Sequence, residues 1–200
     1  MDMKILRNFA LFMLSAGILA GCAGQTIVAM PEITFAHLQP YNLAVSQISV
    51  EQKFVPSQTH PRVELRLNQP PVQVLRRWAA DRLTVSGGGI GAGGFARFVI
   101  VDAGVTEQAL DTDGNFTAYF TNEQALRYEA AAEAVLELQS GDGLSRGRAS
   151  ARVVKAVTVP EKASVNEREQ VLFDLVEGLM KEFDARMDES IREHLSKWLP

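Results

Sequence analysis

Between Ala125 and Gln139 the side chains change character at almost every step, and this alternation constrains the fold more than any other feature of the 200 residues. Leu126, Tyr128, Ala130, Ala132, Ala134, Leu136 and Leu138 share one parity; Arg127, Glu129, Glu133, Glu137 and Gln139 share the other. Ala, Leu and Glu favour helix by propensity, but a period of two sustained over this length outweighs propensity and predicts a strand with one apolar face. Ser140-Gly141-Asp142-Gly143 reads as a turn. Residues 147–159 then alternate again, with Ala149, Ala151, Val153, Val157 and Val159 against Arg148, Ser150 and Arg152. The pair predicts a long antiparallel hairpin. Lys155 falls on its apolar parity, where the stem can snorkel to the sheet edge.

The flanking segments supply the partners such a hairpin needs. From Tyr41 to Val55 the chain alternates with a change of parity between Val45 and Ile48, the signature of a strand with a bulge near Gln47. Asn68 precedes Pro70 and Pro71, a combination suited to opening a helix, and Val72, Leu75, Trp78, Ala79 and Leu83 follow at helical spacing over about 70–83. Residues 86–94 form a glycine-rich loop, Phe95 to Val105 reads as a central strand, and 111–115 as a turn. Ser164 with Glu167 forms a capping-box pattern. Beyond it Val171, Leu175, Leu179, Phe183, Met187, Ile191, Leu195 and Trp198 recur along one face of a helix of roughly 30 residues. Its other face is mostly acidic, which favours packing on a core over lying on a membrane surface. The expected class is α+β: a four-stranded, mainly antiparallel sheet with two helices on one face, in the order βαβββα.

The amino-terminal residues read differently. Lys4 and Arg7 make a positive start, and Phe9 to Ala20 is an apolar run too short to span a bilayer, which takes ~20 apolar residues. It ends at Leu19-Ala20-Gly21-Cys22, and Cys22 is the only cysteine in the chain. This resembles the lipobox of bacterial lipoproteins. The resemblance implies a signal peptide over 1–21, diacylglycerol on the Cys22 thiol, cleavage before Cys22 and acylation of the new amine. In that family aspartate after the cysteine retains the protein in the inner membrane; Ala23 here implies the outer membrane, facing the periplasm. Residues 22–40, bracketed by Pro31 and Pro40, read as a lipidated tether, and 41–200 as a single domain. A lone cysteine leaves packing, with no internal disulfide, to stabilise that domain.

Composition and motifs narrow the function classes. A net charge of −4 without clustered Lys and Arg argues against a nucleic-acid partner. Gly89-Ile90-Gly91-Ala92-Gly93-Gly94 satisfies G-x-G-x-x-G, but a helix leads in and a strand leads out, the reverse of a dinucleotide site, so no cofactor is expected. Asp111 and Asp113 suggest a calcium loop, yet Gly114 arrives early and Asn122 stands where the closing glutamate belongs. Asn115-Phe116-Thr117 matches a glycosylation sequon, which has no meaning if the source is bacterial. His37, His60 and His194 are widely spaced, with no neighbouring ligands for a metal. No nucleophile elbow is present, and lipid would occupy the one thiol, so no catalytic residue is assigned. Two candidate surfaces stand out: Phe116, Tyr119 and Phe120, as a partner patch or as core at a strand start, and Arg76, Arg77 and Arg82 beside Trp78, as a contact for anionic lipid or glycan or as a solvated helix face.

With its lipobox and order of elements, the chain is similar to a group of small periplasmic lipoproteins. These include the lipopolysaccharide-assembly lipoprotein that plugs its outer-membrane translocon, auxiliary lipoproteins of ABC-type lipid transporters, and lipoprotein activators of cell-wall synthases. The resemblance covers 41–200 by order of elements only and carries over no functional residue. It implies a non-enzymatic accessory lipoprotein, held on the membrane by the lipid on Cys22 and docked on an envelope protein. A lipid or glycan carrier is the alternative and predicts an apolar pocket between sheet and helices. An envelope hydrolase is a third reading and requires a convergent polar cluster.

Overall fold

A computed structural model describes residues 30–57, 59–89, 91–110, 125–160 and 162–200. The lipobox residues Leu19, Ala20, Gly21 and Cys22, the Asp111 and Asp113 pair, and the Phe116, Tyr119 and Phe120 group lie outside them. In chain order the strands are β1 (Tyr41–Leu43), β2 (Val45–Gln52), β3 (Leu83–Val85), β4 (Gly91–Asp102), β5 (Val105–Leu110), β6 (Ala125–Gln139) and β7 (Arg146–Pro160). The helices are α1 (Pro71–Arg82) and α2 (Val165–His194), with short 3-10 turns at Glu64–Arg66 and Ser196–Trp198.

The predicted hairpin forms over its whole length: β6 and β7 pair antiparallel from Ala125↔Pro160 to Gln139↔Arg146. On the other edge of β6, β4 takes its second half and β5 its first, both antiparallel. These two strands are one line interrupted at Ala103 and Gly104, where Gly104 still accepts from the Ala131 amide at 2.9 Å. The strand expected over 95–105 is therefore longer at both ends. β2 adds to β4 in parallel and completes a five-stranded sheet. The class is α+β, as the alternation and helical periodicity imply.

Where the chain departs from the sequence reading, a long-range contact is responsible. The strand expected over 41–55 breaks at Ala44, whose amide donates to the Trp198 carbonyl at 2.8 Å. β1 leaves the main sheet and pairs in parallel with β3. The parity change survives as an irregular register in β2 between Val45 and Gln47. Pro70, not Asn68, occupies the N-cap of α1, with Pro71 at the first helical position. At α2 the capping box is present: the Glu167 amide donates to Ser164 Oγ at 3.3 Å, and the Ser164 amide to Glu167 Oε2 at 2.8 Å.

Both helices lie on one face. Val74, Leu75 and Trp78 of α1 and Leu179, Met180, Phe183 and Met187 of α2 are fully buried against Phe98, Ile100, Leu136 and the alanines of β6. Those small residues let α2 sit close to the sheet. The opposite face carries Glu51, Arg97, Glu137 and Arg148 in sequence across β2, β4, β6 and β7, with Arg97 to Glu137 at 2.6 Å and Arg97 to Glu51 at 3.6 Å. Such exposed pairs add little stability but agree with one register only. Lys155 leaves the apolar side of β7 with its ammonium 3.5 Å from Glu182 of α2.

Backbone approach explains two glycines. At Gly141 a Cβ would lie 2.6 Å from the Ala92 carbonyl oxygen and 2.9 Å from the Gly93 carbonyl carbon, so the glycine-rich stretch is where two chain segments touch without side chains. At Gly147 it would meet Leu195 and Trp198 at 2.6 Å. Gly141→Ala is expected to cost about 1–2 kcal/mol in a urea melt, because the obstructing atoms are backbone; an unchanged midpoint would show that the approach is looser.

Candidate functional site

The stretch read as the second half of the tether is part of the packed body. Ile33 and Phe35 are buried, and their amides donate to Gln69 Oε1 and Asp81 Oδ2, each at 2.8 Å. Gln69 returns a bond to the Pro31 carbonyl at 2.7 Å, and Arg77 donates to the Ile33 carbonyl at 2.7 Å. Residues 31–40 therefore form a strap bound to α1 and to Gln69 just before it, where a tether reaching to Pro40 is expected from the sequence.

The strap closes on a clasp of charged and aromatic groups. Arg82, the last residue of α1, is 5% exposed. Its Nε lies 3.0 Å from Asp184 Oδ1, its Nη2 donates to the Tyr41 hydroxyl at 2.9 Å, and its Nη1 donates to the Gln39 carbonyl. The guanidinium also stands over the Tyr41 ring, 4.6 Å from its centroid. Tyr41 donates in turn to Asp188, which lies one helical turn beyond Asp184. Trp78 Nε1 supplies Asp184 with a second donor at 2.7 Å, and Arg192 Nε holds the other Asp188 oxygen at 2.8 Å. An open cleft borders the clasp, lined also by Leu38, Pro40, Asn42 and the carboxy-terminal Leu199 and Pro200.

The electrostatics act on Tyr41 and Asp188 in opposite directions. Burial, then the hydrogen bond to Asp188, raises the Tyr41 phenol far above its ordinary value, so it stays a donor. The Arg192 hydrogen bond outweighs burial and keeps Asp188 below the ordinary carboxylate range. Neither group is poised to exchange a proton near neutrality. The arrangement does what a clasp does: it ties the strap, α1 and α2 together through one buried cation.

A second buried charge anchors the loop before α1. Glu64 is fully buried and accepts from Arg62 at 2.9 and 3.1 Å, and from the Ser57 amide at 2.7 Å. Burial alone would raise its carboxyl, but Arg62 and Ser57 outweigh it and hold it low. The same loop pairs with β5, where the Val63 amide donates to the Val105 carbonyl at 2.9 Å. Nearby, burial and the Glu107 carboxylate at 2.5 Å push the Tyr128 phenol up to about 12.

The three arginines singled out in the sequence are not one patch. Arg76 donates to Gln52 at 2.8 Å, Arg77 holds the strap and pairs with Glu32, and Arg82 is buried in the clasp. Arg82 is neither a solvated face nor a contact for anionic lipid or glycan. Sequence reasoning missed its role and Glu64, although Arg82 shares a stripe with Leu75 and Trp78 at steps of three and four. Among the described residues, no three His, Cys, Asp or Glu side chains are grouped to hold a metal, and no helix is long and apolar enough to cross a membrane. Between sheet and helices, Trp78 stacks on Phe98 with centroids 5.3 Å apart and meets Phe183 edge-on at 5.5 Å.

No protein-family model matches the chain, and no curated protein matches it. Among solved structures it is similar to a minor lipoprotein from Acinetobacter baumannii, at 13% identity and a TM-score of 0.33, over 79% of this chain and 96% of that one. A likeness of that size carries no weight for function.

Proposed function

We propose that the protein is a lipid-anchored accessory lipoprotein of the cell envelope, facing the periplasm from the outer membrane and acting by docking rather than by catalysis. The observation that carries this reading is the position of the sole cysteine, directly after Leu19-Ala20-Gly21 at the end of the apolar run. Ala23 supports the outer membrane as its destination. The clasp favours a scaffold, because its guanidinium nitrogens are spent on protein partners.

Cys22→Ser tests the anchor. The variant is expected to leave the membrane pellet or to accumulate uncut, because acyl chains hold a protein at a bilayer through ~0.8 kcal/mol per buried methylene. A variant that pellets with membranes at unchanged size contradicts the proposal. Crosslinking in cells tests the docking, with an envelope protein recovered on the wild-type chain as the expected result.

A further inference from the structure

We propose that the free edge of β7 is a docking site for an extended, acidic segment of a partner protein, which adds to the sheet as a further strand beside Arg148, Arg152 and Val154. This rests on the docking reading above and is independent of the lipid anchor.

β6 lies along one side of β7 in an unbroken register from Ala125↔Pro160 to Gln139↔Arg146, so every second residue of β7 faces away from it. Two bonds fix which ones. Ala131 of β6 donates away from β7, to the Gly104 carbonyl, and Ser150 of β7 donates away from β6, to Ser190 Oγ of α2 at 3.0 Å. The N–H and C=O groups of Arg148, Ser150, Arg152, Val154, Ala156 and Thr158 therefore point out from the edge, and all of these residues are exposed. Among the described residues, only Ser190 takes one of those amides. No proline interrupts the edge before Pro160. A row of open donors and acceptors at a two-residue repeat fits another strand, which adds through main-chain bonds.

Charge selects the occupant. β7 holds Arg146, Arg148, Arg152 and Lys155 and no acidic residue. A second copy pairing through its own β7 brings no carboxylate to these cations. Arg148 and Arg152 stand on the open face, with side chains 68% and 66% exposed. Their present carboxylates come from the β6 side. Glu137 is 4.0 Å from Arg148 and is bound more closely by Arg97 at 2.6 Å; Glu133 is 3.5 Å from Arg152. The other side of both guanidiniums is left for an incoming strand with Asp or Glu at alternate positions. Val154, exposed two residues on, offers that strand an apolar neighbour on the same face. Lys155 points to the helix side, where Glu182 holds its ammonium, so it does not stand in the path.

A fluorescein-labelled peptide of alternating Glu and Val tests this against the full-length protein in neutral detergent. Saturable binding by anisotropy is expected. Val154→Pro, which removes one outward N–H where an edge strand tolerates proline, is expected to weaken it about tenfold, and Arg148→Gln with Arg152→Gln by about as much. Methylating the peptide's amides removes its donors and leaves its charge, and is expected to abolish binding. Hydrogen exchange on the wild-type chain needs no variant: the peptide is expected to slow the amides of Arg152, Val154 and Ala156. No binding, or binding that survives methylation, overturns the proposal. So does equal binding of a Lys–Val peptide, or a Val154→Cys chain that links to its own copy at the edge. In cells, an envelope partner crosslinked elsewhere than at β7 overturns this site and leaves the docking reading standing; recovery of no partner contradicts that reading itself.

Discussion

Trp78→Ala is expected to lower the unfolding free energy by about 4 kcal/mol, the range found for removing a large aromatic side chain from a core. Trp78 is fully buried where α1, α2 and the sheet meet, stacked on Phe98 of β4, edge-on to Phe183 of α2, and bonded to Asp184. The substitution leaves a cavity that α1 and α2 cannot both close, because each is pinned elsewhere by Arg82. Against a typical domain stability of about 5–15 kcal/mol, that loss moves a urea midpoint far to the left. Trp78→Phe keeps most of the ring area and removes only the indole donor, so it is expected to cost about 1–2 kcal/mol. If the alanine variant is no worse than the phenylalanine one, packing at this junction is not what holds the layers together.

Arg82→Met is expected to cost about 3 kcal/mol, because removing one partner from a buried ion pair strands the others. Asp184 and Asp188 then face each other one turn apart without their shared cation, and the Gln39 carbonyl loses its donor. The effect has a local readout. With the clasp gone, chymotrypsin is expected to cut the strap after Phe35 while the sheet is still folded; cleavage no faster than in the wild type contradicts the strap's dependence on Arg82. Acid acts on the same place. Asp188 is depressed in the folded state, so its contribution is present above the ordinary aspartate value and is lost as pH falls through the folded one. Lowering pH below about 4 is therefore expected to loosen the strap in the wild type.

What could be read from the sequence is what depends on neighbours in sequence. The β6–β7 hairpin follows from a parity maintained across both arms, and α2 from its capping box and apolar stripe, since each pattern is written within one element. The break at Ala44 is of another kind. It depends on the Trp198 carbonyl, more than 150 residues away, and no local pattern announces it. The same holds for the clasp. Arg82 lies on the buried stripe of α1, but its acidic partners stand on α2, and only the fold brings them together. The strap carried a faint signal: Ile33 and Phe35 share a parity, which its prolines and mixed composition obscured. The glycine-rich stretch spells a dinucleotide motif in the wrong context; what the fold uses it for is the close passage of Gly141 over Ala92 and Gly93.

The proposed function depends on residue 22, and one mass spectrum reaches it directly. The protein is extracted from membranes, digested, and its first peptide weighed. A peptide beginning at Cys22 and heavier by a diacylglyceryl group and an amide-linked acyl chain is the predicted result. A chain that still begins at Met1, or a Cys22 thiol open to alkylation, would contradict the account.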